Sequence, residues 1–411
     1  MRDSLSATRV PGDNPVSMAD LMRTMKLATL LVGLLATRSV AQHGRVAAIS
    51  LTRLETGSCP QCVLTIQPVA TIGKPDDPEL IPEYSSVWGL AGGGFVVGGG
   101  RSDAAPLQRY DRTGHSLGPL GHIGDGPGEY RRVQSVAIAR GDSISILGSG
   151  VITTISTATG RGRTARLAPK TQALFHIVLP DGSVLLNNNA QYQPAFELLS
   201  PTAVLRENFG PAQPAIALAD QGGRKIGDEY ATMQALANAQ NGGAWAANRY
   251  YRHHLTHIDP AGNIVHEIDR APAWFQPYGF DDINERMYRL GELRAARPAV
   301  ITGIGGDDAG HLFVMSRVAD AAWKKDPNAP PPHPRGGEYP VEHLEPTGGI
   351  DRYVDTIVEV YDDKSGAFIG SWRADVLLTG MTETGFLYTR QQDADGVISF
   401  QVFRLRVTTG Q

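Results

Sequence analysis

From Trp88 to the C-terminus the chain repeats one pattern: a short apolar run, a glycine turn, then a second apolar run. The turns fall at Gly93-Gly94 before Phe95-Val96-Val97, at Gly141-Asp142 before Ile144 and Ile146, and at Asp181-Gly182 before Val184-Leu185-Leu186. They recur at Asn241-Gly242 before Ala244-Trp245-Ala246, at Ala309-Gly310 before Leu312-Phe313-Val314, and at Thr384-Gly385 before Phe386-Leu387-Tyr388. Asp-Gly and Asn-Gly between such runs signal hairpins, because tight turns need residues that tolerate positive φ. A second turn follows each first one at a nearly constant distance. Gly94 stands 20 residues before Gly114, Gly141 19 before Gly160, Gly182 20 before Thr202 and Gly242 20 before Gly262. In the fifth unit Gly310 and Gly366 are 56 apart, so about 36 further residues interrupt it.

Two hairpins per unit and six units predict an all-β fold, a six-bladed β-propeller with four-stranded blades. A sandwich of irregular strands would give no reason for the constant spacing. The sixth unit stops one strand short. The alternating segment Val63–Ile72 suits the missing outer strand. Pairing the N-terminal strand with the C-terminal blade closes the ring and removes an exposed sheet edge.

Lettering the blade strands A to D outward from the channel, the A–B and C–D turns share one face. The B–C loops and the D–A crossings between blades share the other. Every long insertion falls in the second group: the B–C loop of blade five at 317–354, and the crossings 124–132, 210–230 and 270–298. Loops on a fixed scaffold carry binding, so the functional face is expected there.

Ahead of the repeats lies Leu27–Ala36, ten apolar residues preceded by Arg23 and Lys26 and followed by Ser39-Val40-Ala41. This reads as a secretory signal peptide, and ten residues fall short of the roughly 20 that span a bilayer. Met18, Met22 and Met25 each offer a start for the same signal. The expected organisation is an N-terminal extension and signal over 1–41, then one propeller domain over 42–411 with its inserted loop at 317–354. The expected location is periplasmic or extracellular, with no membrane span in the mature chain. Lys plus Arg of 38 against Asp plus Glu of 42 gives a net charge of −4, with no basic excess to hold nucleic acid. The 47 Gly and 27 Pro fit a dozen tight turns plus the Pro-rich stretch 326–335.

The two cysteines, Cys59 and Cys62, are spaced Cys-Pro-Gln-Cys. Val63 stands where c-type haem attachment needs His. A disulfide, free thiols and a redox pair all fit the spacing. Their place at the start of the closing strand favours the disulfide, as a staple at the ring seam.

The segment Gly121-His122-Ile123-Gly124-Asp125-Gly126-Pro127-Gly128-Glu129-Tyr130 follows Tyr110-Asp111-Arg112-Thr113-Gly114. It resembles the G-x-G-x-G-P-G-E-[FY] signature of bacterial exported six-bladed, NHL-like β-propellers. The early Cys-x-x-Cys followed by a strand is similar to exported members of that group. The resemblance implies fold and export, and no single activity.

Candidate chemistry is sparse. His253, His254 and His257 enter a strand, where His253 and His257 share a face about 13 Å apart at about 3.3 Å per residue; zinc ligands must converge on one ion. Asp111, Asp259 and Asp362 recur at equivalent turn positions, which favours a turn-forming role over calcium. Asp281, Asp282 and Glu285 read as the capped start of an amphipathic helix. Among inner-strand residues only His176 is an obvious metal ligand. There is no P-loop or H-E-x-x-H.

A mixed aromatic and basic rim remains: Arg101, Glu129, Arg131, Tyr192, Arg249, Tyr250, Trp274 and Trp323. Arginine forks suit carboxylates, and aromatic faces suit sugars or cations. The leading expectation is a monomeric binding module, without metal or other cofactor, that recognises a partner protein, peptide or glycan on the B–C and D–A face. The alternative is a metal-dependent propeller hydrolase or lyase at the channel mouth, lactonase-like or peptidyl-hydroxyglycine-lyase-like.

Overall fold

The computed structural model describes residues 49–74, 77, 81, 82, 84–99, 105–139, 141–169, 171, 173–188, 194–212, 218, 219, 225, 226, 233–276, 298–324, 353–393 and 395–410. The signal segment 27–36, the acidic stretch at 281–285, and Arg101 and Tyr192 lie outside them. No helix among the described residues is long and apolar enough to cross a membrane.

Two strands lead in, β1 (Leu51–Thr56) and β2 (Cys62–Ile72). Blade one is β3 (Ser86–Gly89), β4 (Phe95–Gly98), β5 (Leu107–Tyr110) and β6 (Ser116–Leu120). Blade two is β7 (Ser135–Ile138), β8 (Ser143–Gly148), β9 (Val151–Ser156) and β10 (Gly162–Arg166). Blade three is β11 (Ala173–Val178), β12 (Val184–Asn188), β13 (Pro194–Leu199) and β14 (Leu205–Ala212), followed by a small hairpin of β15 (Leu218–Ala219) and β16 (Lys225–Ile226). Blade four is β17 (Gln234–Asn238), β18 (Ala244–Asn248), β19 (His253–Ile258) and β20 (Ile264–Arg270). Blade five is β21 (Val300–Gly306), β22 (His311–Ala319), β23 (Val354–Asp362) and β24 (Phe368–Ala374), and blade six is β25 (Gly380–Met381), β26 (Phe386–Gln392) and β27 (Ile398–Thr409).

All ladders are antiparallel, and the six blades form a six-bladed propeller. The ring closes as the alternation implied: β2 pairs with β27 along its whole length, from Cys62 opposite Thr409 to Ile72 opposite Phe400. One strand was not visible in the apolar pattern. β1 adds to the outer edge of blade five, with Leu51 opposite Ala374, so that blade has five strands. The blade-five insertion is also shorter than 317–354. Arg317, Val318 and Ala319 continue β22 opposite Thr356, Asp355 and Val354, so the loop runs from 320 to 353.

The burial pattern follows from blade packing. A middle strand is covered on both faces by neighbouring blades, so β12 and β18 are buried throughout. Outer strands such as β10 and β20 are largely exposed and read polar. Turn chemistry fixes the hairpins. Gly242 and Gly310 sit at φ near 90°, a region that side chains with a Cβ rarely adopt. Asp111, Asp259 and Asp362 are turn formers: Asp259 Oδ1 accepts the N–H groups of Ala261 and Asn263 at 2.9 and 2.8 Å, and Asp111 and Asp362 do the same in their turns.

Candidate functional site

The six inner strands surround a central cavity of about 220 Å³, lined by Ser135, His176, Thr302, Thr379, Tyr388 and Glu383 among others. His176 is buried, with Nδ1 hydrogen-bonded to Ser135 Oγ at 2.6 Å and Nε2 to Ser145 Oγ at 2.9 Å. Burial pushes its pKa down to about 3, so the ring is neutral. Both ring nitrogens are therefore engaged by hydroxyls. Glu383, in the A–B turn of blade six, reaches across to blade two, where a carboxylate oxygen accepts the N–H of Ile138. Its other oxygen is buried with no hydrogen-bond partner, and burial raises the carboxyl to about 7. Sequence reasoning missed Glu383, because a glutamate in a Thr-Glu-Thr-Gly turn carries no signal until the ring closes.

The faces sort as the repeat implied. Ser149, from the B–C turn of blade two, and Gly124, Asp125 and Glu129, from the crossing between blades one and two, line one surface pocket of about 350 Å³. Here Glu129 and Arg131 come together with Asp125, Arg132 and Arg166. Arg131 Nε pairs with Asp125 at 3.2 Å, both well exposed. Glu129 turns into its own loop, its Oε2 accepting the Gly126 N–H at 2.8 Å. Tyr130 pins the loop from beneath: its hydroxyl donates to Leu120 O at 2.6 Å and accepts the Leu107 N–H at 2.8 Å. The Gly-Asp-Gly-Pro-Gly-Glu-Tyr segment is thus a self-bonded wall whose Asp125 pairs with Arg131.

Of the other described rim residues, Arg249, Tyr250, Trp274 and Trp323, none lines that pocket. The Arg249 guanidinium lies 5.3 Å from the Phe175 ring and 5.4 Å from that of Tyr250, and its Nε donates to Ile301 O at 3.1 Å. Phe175 lines the central cavity, so Arg249 and Tyr250 stand at its B–C mouth. Trp323 is half-buried at the stem of the blade-five insertion, its backbone N–H donating to Asp320 O at 3.1 Å. Trp274 is half-buried. It packs inward against the core of blades four and five, edge-on to His253 and Phe275, with its Nε1 buried.

The three histidines of β19 go to three different partners: His253 to Glu359, His254 to Glu267 at 3.1 Å, and His257 to Asn241 at 3.2 Å. His257 also stacks on Trp245, centroids 4.5 Å apart. Cys59 and Cys62 form a disulfide. Arg53 of β1 folds over that loop, donating to the carbonyls of Cys59, Pro60 and Cys62 at 2.8, 2.6 and 3.0 Å.

No protein-family model and no curated sequence matches the chain. Among solved structures it is similar to a Bacteroides fragilis protein proposed to be exported, at 11% identity and a TM-score of 0.52, over 87% of this chain and 98% of that one. It is also similar to the WD40 domain of Neurospora crassa Pan2, at 9% identity, a TM-score of 0.40 and coverage of 82% and 94%. A third likeness is to YCF48 bound to D1 peptide, at 12% identity, a TM-score of 0.37 and coverage of 80% and 98%. At such identities the first likeness speaks for the propeller fold and for nothing finer.

Proposed function

We propose that the protein is an exported propeller that binds an acidic segment of a partner protein or peptide on its B–C and D–A face. The observation that carries this reading is the 350 Å³ pocket in which Arg131, Arg132 and Arg166 gather around a rigid glycine-rich wall. Asp125 and Glu129, the acids in the same pocket, are already engaged by Arg131 and by Gly126 N–H. Guanidinium forks recognise carboxylates in pairs of parallel hydrogen bonds. The wall is the segment that resembles exported NHL-like propellers, and the charged, then apolar, then small-residue order over 23–41 supports export. Arg249 and Tyr250 at the channel mouth, with Trp323, extend the surface a partner would cover.

The test is fluorescence anisotropy with short Glu/Asp-rich peptides, alongside a neutral-glycan array. Arg166→Ala and Arg131→Ala should each weaken peptide binding about tenfold, the equivalent of one charge-assisted hydrogen bond. Wild-type affinity in both variants, or binding to neutral glycans alone, would overturn the reading.

A further inference from the structure

Three carboxylates meet where the blade-five insertion leaves and rejoins the sheet. Asp320 directly follows β22, Asp355 is the second residue of β23, and Asp375 directly follows β24 at the start of the crossing into blade six. One carboxylate oxygen of each lies within 4.8 Å of those of the other two.

The group is not simply a solvated acidic patch. The Asp355 residue is 1% exposed. Its Oδ2 accepts the Ala321 N–H at 3.0 Å and Arg373 Nε–H at 2.5 Å, while its Oδ1 is buried with no hydrogen-bond partner. A buried carboxylate oxygen without a donor is costly, and more so beside two further acids. Burial accordingly raises the Asp355 carboxyl, with Asp320 adding to the rise against the pull of Arg373. Arg373 answers one of the three charges and is itself anchored to Ala319 O. Two negative charges are left over. Asp320 is half-buried, one oxygen taking the Ala322 N–H at 2.5 Å, and Asp375 opens to solvent.

An all-oxygen donor set with two uncompensated charges suits a hard divalent cation. The open side at Asp375 leaves room for the waters that complete a calcium sphere of about 6–8 ligands, whereas magnesium demands a tighter octahedron. We propose that Asp320, Asp355 and Asp375 hold one calcium ion, Asp355 contributing its orphaned Oδ1. The ion neutralises the remaining charge and ties both ends of the 320–353 insertion to the blade-five crossing. It thereby fixes how the stem of that loop, with Trp323 on it, stands on the B–C face. This inference does not depend on the acidic-partner reading, whose arginines lie at blades one and two.

The experiment uses terbium as the calcium probe, excited directly and also through tryptophan, such as Trp323, whose backbone N–H donates to Asp320 O. The purified protein should show saturable terbium luminescence that calcium displaces, with a calcium Kd of about 10⁻⁴–10⁻³ M as in extracellular sites. Asp320→Asn and Asp375→Asn sit at the rim of the group, and circular dichroism checks their fold. Each should weaken calcium at least tenfold, while Asp259→Asn, in a remote turn, should not. Absence of saturable emission, failure of calcium to compete, or wild-type affinity in both rim variants would overturn the site.

Discussion

His253 Nε2 and a carboxylate oxygen of Glu359 meet across the junction of blades four and five, with both side chains fully shut off from solvent. The other oxygen of Glu359 takes Arg270, which continues to the Tyr361 hydroxyl at 3.2 Å and to Glu55 on β1. One chain of charged contacts thus links two blades and the added N-terminal strand.

Removing the centre of that chain should be severe. Glu359→Ala leaves Arg270 and His253 buried without their common partner, and breaking a buried pair on one side costs about 3–5 kcal/mol. Urea denaturation should show a loss of that size. Glu267→Ala removes a carboxylate that is 56% exposed and should cost no more than about 1 kcal/mol. Equal losses in the two variants would mean the buried chain has no special weight.

The glycine-rich wall predicts a second stability effect. Tyr130→Phe removes the acceptor of the Leu107 N–H and the donor to Leu120 O, both in buried surroundings. An orphaned buried group costs about 1–3 kcal/mol, so the thermal midpoint should fall. Peptide capture by the folded fraction should be unchanged, because the hydroxyl is spent on Leu107 N–H and Leu120 O and the ring that remains still lines the pocket. Lost capture with an unchanged midpoint would instead give Tyr130 a direct role in binding.

The contrast between what could and could not be read from the chain has a physical origin. The Gly turns and the closing strand were legible because each is local: a positive φ at Gly242, an apolar alternation over 63–72. β1 was not legible, because its inward residues are Leu51, Arg53 and Glu55 rather than an apolar row. It docks through charge: Arg53 sits 5.2 Å from the Trp372 ring and Glu55 pairs with Arg270. Trp274 read as rim because it follows the last strand of blade four, and its ring lies edge-on to His253. Glu129 and Arg131 were legible as neighbours in sequence, whereas Arg166 joins their pocket only when β10 lies beside the crossing. The acids at 320, 355 and 375 belong together only after two β-hairpins have formed.

The disulfide should be a modest staple. It closes a loop of four residues, Cys59 to Cys62, for which loop-closure entropy gives about 2 kcal/mol. The Cys59→Ser, Cys62→Ser double variant should lose no more than that and keep its propeller spectrum, because β2 remains paired with β27 and Arg53 still caps the loop. Hydrogen exchange should rise first in β1 and the start of β2. Global unfolding of the reduced protein would show that the ring depends on this bond.

Two channel residues should oppose each other in pH dependence. Folded His176 stays neutral down to about 3, whereas the unfolded chain protonates near 6.5. The unfolded state therefore binds more protons between those values, and this residue makes stability fall as pH drops from 6.5 toward 3. Folded Glu383 keeps its proton up to about 7, against an ordinary 4.5. There the folded state binds more protons, so this residue's contribution is full below 4.5 and is lost as pH rises through about 7. Between about 4.5 and 6.5 the two slopes have opposite sign and offset. Glu383→Gln removes one of them, so its urea midpoint should rise with pH across that window more steeply than wild type. His176→Asn should tilt the midpoint the other way, falling as pH rises toward 7. Because slopes are compared, an overall loss of stability in either variant does not blur the result. A Glu383→Gln profile parallel to wild type would mean that the channel carboxyl is ionised throughout.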